Sequence, residues 1–205
     1  MHSIKQTFTK RCGKTCLCAV AALGLLAGFS TPARAGHDDD HNGNGPMTIN
    51  AGTAFNFAPV FDANGNPVFP WSHEVRGVVQ TSNLGNATVR FAVSINSGTV
   101  CAGGHMFCLS GTMTITTLAG DQLQTEVTGW GDPDPNDLKQ PASMNLLHYD
   151  VVVTGGTGKL KGAKGGGEIN GVFYFCGDDC FCDSYAGVAT WQYEGVLQLP
   201  KKRGK

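Results

Sequence analysis

From residue 86 to residue 199 the chain repeatedly alternates apolar and polar positions with a period of two. Ala87, Val89, Phe91, Val93 and Ile95 fall on one side, against Asn86, Thr88, Arg90 and Ser94. Leu109, Gly111, Met113 and Ile115 alternate with Ser110, Thr112, Thr114 and Thr116. Leu147, Tyr149, Val151 and Val153 are interleaved with His148 and Asp150, and Ile169, Gly171, Phe173 and Phe175 follow Glu168 and Asn170 in the same manner. Ala189, Trp191, Tyr193, Gly195, Leu197 and Leu199 alternate with Thr190, Gln192, Glu194 and Gln198. Such a period with one apolar face predicts half-buried strands in an antiparallel sheet. Weaker patterns predict further strands at about 54–60, 75–81 and 122–130, eight in all.

Turn chemistry separates these segments: Asn64-Gly65-Asn66-Pro67, Asn83-Leu84-Gly85-Asn86, Ala119-Gly120-Asp121 and Gly177-Asp178-Asp179. After the first 35 residues no stretch carries an amphipathic helical period. The fold class expected is all-β, an antiparallel barrel of about eight strands, because closure removes exposed sheet edges. A β-sandwich is the competing arrangement, since periodicity does not separate the two.

The N-terminus reads differently. Lys5, Lys10, Arg11 and Lys14 precede an uncharged run from Cys16 to Phe29, a break at Ser30-Thr31-Pro32, and a small-x-small site at Ala33-Arg34-Ala35. That order is a secretory signal peptide over 1–35, and it predicts a secreted or periplasmic protein. Residues 36–46 hold no apolar anchor and are expected to be a disordered His/Asp tail. The barrel domain is then expected over 47–200, with a basic tail at 201–205.

Composition narrows the function. The 205-residue chain is 41% hydrophobic and 15% charged, with a net charge of −1, which excludes a wholly disordered chain. Removal of the signal leaves ten basic against sixteen acidic residues, a charge of −6. No general pull toward nucleic acid or anionic lipid follows from that balance. No later segment is long and apolar enough for a helical membrane span.

Five cysteines remain after position 35: Cys101, Cys108, Cys176, Cys180 and Cys182. In an oxidising compartment they read as disulfide partners. Cys101 and Cys108 bracket one turn and Cys176 and Cys182 another, with Cys180 left unpaired. Cys176–Cys180 and cross-pairing between the two groups are equally compatible with the spacing.

The run Val153-Thr154-Gly155-Gly156-Thr157-Gly158-Lys159-Leu160, continuing through Gly162-Ala163 and Gly165, invites a phosphate-loop reading. That reading fails: Val153 stands where the motif needs Gly, and Leu160 where it needs Ser or Thr. A strand pattern also follows the run, rather than a helix that could face phosphate. The run instead resembles the allene oxide cyclase and dirigent barrel superfamily, in an exported, bacterial-type form. There a strand ends in Gly-Gly-Thr/Ser-Gly, passes Gly-Ala, and re-enters a strand after further glycines. The resemblance implies an eight-stranded barrel, with Gly155, Gly156, Gly158, Gly162 and Gly165 as structural turn glycines. Family members cyclise a fatty-acid epoxide or steer radical coupling of phenols, but no functional residue carries over by motif.

Other constellations offer chemistry beside plain structural roles. His37 and His41, beside three aspartates, offer nitrogen and oxygen ligands for a divalent metal. Gly131-Asp132-Pro133-Asp134-Pro135-Asn136-Asp137 spaces oxygens as calcium loops do, but lacks the Gly and bidentate Glu. His73-Glu74 and His148-Asp150 would make an acid–base pair if their strands adjoin. Phe69 and Trp71 are placed to cap a barrel mouth or pack in the core. The leading expectation is an exported, disulfide-tied barrel that binds a small apolar or aromatic ligand or serves structurally, with no cofactor and with self-association open. Cyclase or coupling-guide activity, and periplasmic metal binding, are the alternatives.

Overall fold

The computed structural model describes residues 45–58, 60–97, 99, 103–133, 146–175 and 185–200. The signal segment, His37, His41, Cys101, Cys176, Cys180, Cys182, the turn at 177–179 and the tail 201–205 lie outside the described residues. Eight strands form one closed antiparallel barrel in sequence order: β1 Gly45–Ala58, β2 Trp71–Thr81, β3 Gly85–Ser97, β4 Phe107–Thr117, β5 Gln122–Asp132, β6 Leu146–Gly156, β7 Lys164–Phe175 and β8 Tyr185–Gln198. Pairing of β1 with β8, from Gly45↔Leu197 to Phe57↔Tyr185, closes the sheet and decides for a barrel over a sandwich.

The register spirals. One row of paired residues runs Asn96, Cys108, Trp130, His148, Asn170, Gln192, Asn50, Gln80 and Asn86. It returns to β3 ten residues from its start. Eight strands with that stagger give a strand tilt of about 40° and a backbone radius of about 8 Å. Such a barrel is wide enough for side chains to fill.

Inward positions follow the alternation. Phe91, Met113, Ile169, Trp191 and Tyr193 are buried, whereas Thr88, Arg90, Asp150, Glu168 and Asn170 face out. Phe91 meets Tyr149 at 5.9 Å between ring centroids and Trp191 edge-on at 5.4 Å. The middle of the barrel is therefore packed with rings. Trp191 fits because its cross-strand neighbours are Gly171 and Ala51.

Meander topology puts three connections at one end and four at the other. At one end they are short: 82–84, 118–121 and the glycine turn 157–163, with the chain ends of β1 and β8 beside them. The longer connections, 59–70, 98–106, 133–145 and 176–184, all gather at the other end. Loops carry binding surfaces more often than the scaffold does, so this end becomes the candidate mouth.

The glycine turn shows why its residues are small. A short 3₁₀ turn, Gly158–Leu160, links β6 to β7, and no helix follows. Gly158 has φ +55°, and an added Cβ would collide with the Asp121 carboxylate, whose Oδ1 accepts from the Lys159 amide at 3.2 Å. Gly158→Ala is expected to cost about 1–3 kcal/mol in denaturant unfolding. The same substitution in an Asp121→Ala background should cost less, because the collision is gone while the left-handed φ remains.

Candidate functional site

At the long-loop end, β2 begins with two inward residues, Trp71 and His73, separated by the outward Ser72. Trp71 stacks on Phe69 at 4.6 Å between centroids and lies 6.1 Å from Phe107 and 6.0 Å from Phe61. Its indole Nε1 donates to the Val60 carbonyl at 3.3 Å. Phe69, Trp71 and Phe107 are partly buried against the core, so the structure gives them both roles foreseen for the Phe69–Trp71 pair.

The segment in front of them is built rigidly. Val68 donates its amide to Val60 O at 2.7 Å, and Phe61 bridges to Pro67. At the tip the Asp62 carboxylate accepts from the amides of Asn64 and Asn66 and from Asn66 Nδ2. These bonds, those from Asn66 foremost, hold the Asp62 carboxyl below its ordinary value. The flap presents Val60 and Phe61, each 51% exposed, with Val68 at 45% and Met106 on the neighbouring connection at 43%. Exposed apolar side chains thus concentrate around a half-buried aromatic shelf, the arrangement expected where an apolar partner docks.

Below the shelf lies His73. It is 2% exposed, with Phe55 at 5.7 Å and Phe173 at 5.5 Å, and these two rings meet each other at 4.7 Å. Burial pushes its pKa down to about 4, so the imidazole is neutral at pH 7. Under His73 the barrel continues into the Phe91–Tyr149–Trp191 layer. The phenol oxygens of Tyr149 and Tyr193 are buried with no hydrogen-bond partner among the described residues, and burial raises both phenols above their usual range.

The expected acid–base pair across strands does not form. β2 neighbours β1 and β3, and β6 neighbours β5 and β7, so His73 and His148 are on strands that never pair. His73 points inward and His148 outward. His148 Nε2 lies 3.7 Å from Asp150 on its own strand, and its Nδ1 is 2.9 Å from Asn170 Oδ1. Sequence reasoning missed the depth of His73, yet Trp71, His73, Val75 and Val79 keep one phase, which was the available signal.

A second feature braces the mouth from outside. Asp132 ends β5, accepts the Met106 amide at 2.7 Å and holds His105 Nδ1 at 2.7 Å. The His105 ring lies flat on Trp130, 4.2 Å away with 2° between planes. Asp132 therefore pins His105 and Met106 at the start of β4; the other oxygen residues of its run, Asp134, Asn136 and Asp137, lie outside the described residues. Cys108 is buried, with its Sγ 3.3 Å from the Ser97 carbonyl oxygen.

Among the described residues no group of three or more His, Cys, Asp or Glu could hold a metal ion. No described helix is long and apolar enough to cross a membrane. No protein-family model matches the chain, and no curated protein does. Among solved structures the chain is similar to the pterocarpan synthase dirigent protein GePTS1, with 14% identity, 78% of this chain and 90% of that chain covered, and a TM-score of 0.35.

Proposed function

We propose that the protein is an exported, disulfide-tied β-barrel that binds a small, flat, apolar or aromatic ligand at its long-loop mouth. One observation carries the reading: Phe61, Phe69, Trp71 and Phe107 form an aromatic shelf that the flap leaves half open. The ligand would lie on the shelf rather than within the barrel, because Phe91, Met113, Phe173 and Trp191 fill the interior below. The signal-type N-terminus supports export, and the placing of Cys101 and Cys108 on either side of one turn supports a Cys101–Cys108 bridge.

A second reading is a dirigent-like coupling guide or an allene-oxide-cyclase-like cyclase. His73 favours it, as a neutral base directly beneath the mouth.

Fluorescence titration with N-phenyl-1-naphthylamine tests the binding reading. Saturable enhancement is expected, with affinity falling at least about tenfold in Trp71→Ala, the loss of one aromatic contact surface. Val78→Ser, on the outer wall of β2, should bind as the wild type does. Equal binding by Trp71→Ala, or none by the wild type, removes the proposal.

A further inference from the structure

The outer wall of β6, β7, β8 and β1 carries three parallel rows. Asp150, Glu168 and Glu194 occupy register-paired positions on β6, β7 and β8, all exposed. Two residues along each strand, toward the short-turn end, the next row is Val152, Gly166, Val196 and Pro46. Val152 is 57% exposed and Val196 43%, on a face whose other outward positions are mostly polar. Beyond that row stands Lys164, with Lys159 and Lys161 on the adjoining turn, all exposed.

The carboxylate row is unfavourable by itself. Like charges directly opposite on neighbouring strands repel. Among the described residues none of the three has Lys or Arg within ion-pair distance, and Asp150 has His148 Nε2 at 3.7 Å. The valine row is equally unrewarded in water.

We infer that this wall is a contact surface for a second copy of the same chain, related by a two-fold axis lying along the valine row. That axis sets Val152 and Val196 against their counterparts. It also turns the carboxylate row of each copy over the Lys159, Lys161 and Lys164 side of the other. A two-fold axis at right angles to the row would stack carboxylate on carboxylate, so charge selects the first arrangement. Gly166, in the centre, has no side chain to hold the copies apart. A curved wall buries little area, which fits a reversible dimer with Kd about 10–100 µM.

Sedimentation velocity on the exported chain tests this. The wild type is expected to form a dimer at low salt that dissociates in about 1 M NaCl, where the screening length falls to about 3 Å. Glu168→Lys with Glu194→Lys should be monomeric, and adding Lys161→Glu with Lys164→Glu should restore the dimer. Val152→Asp with Val196→Asp should be monomeric at all salt concentrations, with circular dichroism confirming the fold of each variant. A wild type that stays monomeric near 1 mM, a closed trimer, or a dimer indifferent to these substitutions overturns the inference.

Discussion

Replacing Trp191 with alanine is expected to destabilise the protein by about 3–5 kcal/mol, the largest effect of any single side-chain truncation in the barrel. Trp191 sits in the central layer, edge-on to Phe91, and its Nε1 donates to Thr53 Oγ1 at 3.3 Å. Thr53 in turn donates to the Ala189 carbonyl at 3.3 Å. Truncation removes the ring, leaves a cavity between glycine and alanine neighbours that cannot fill it, and frees the threonine oxygen. For a domain of this size the melting temperature should fall by about 10 °C. Trp191→Phe keeps part of the ring contact and should lose less than half as much. Equal losses in both variants would mean that the indole hydrogen bond, not the ring's bulk, dominates.

The second large effect is pH-dependent and belongs to His73. Its folded pKa is pushed down to about 4 by burial, against about 6.5 when unfolded. Above pH 6.5 the imidazole is neutral in both states and imposes no penalty. As pH falls from 6.5 toward 4, the unfolded chain takes up the proton first, so stability is lost across that window. The loss approaches about 3 kcal/mol once pH is below the folded value. Urea unfolding of wild type and His73→Leu at pH 7.5, 5.5 and 4 measures this. The wild type should lose about 3 kcal/mol more than the variant between the extremes, because the carboxylate contributions are common to both. Parallel pH profiles would show that His73 is protonated in the fold or open to water.

Much of this architecture was legible in the sequence, for a physical reason. Strands buried on one face write their inward positions as every second residue, and β3, β4, β6, β7 and β8 did so with large apolar side chains. β1 and β2 were harder. β1 begins at Gly45, well before the expected position 54, because Gly45-Pro46 reads as a break and Ala51 and Thr53 are small or polar at inward positions. β2 begins at Trp71 instead of 75, because a buried histidine interrupts its apolar phase. Closure between β1 and β8 joins segments more than a hundred residues apart, which no local pattern encodes. The same holds for the spiral register that aligns Val152 with Val196 and Asp150 with Glu194. The glycine run leads through a 3₁₀ turn into β7, with positive φ at Gly158 and Gly162.

The mouth was half visible. Phe69 and Trp71 stood out as adjacent rings, and Asn64-Gly65-Asn66-Pro67 as the turn in front of them. Phe107 joins the site only through pairing of β2 with β3 and β3 with β4, and nothing in its local sequence marks it as a neighbour of Trp71.

The most direct test of the central reading is a map of where a flat aromatic probe lands. Two-dimensional amide and indole NMR spectra of the isotope-labelled protein, titrated with N-phenyl-1-naphthylamine, supply that map. Shifts concentrated at Phe61, Phe69, Phe107 and the Trp71 indole are the predicted result. Shifts confined to the outer wall or the short-turn end, with the Trp71 indole unmoved at saturation, would contradict it.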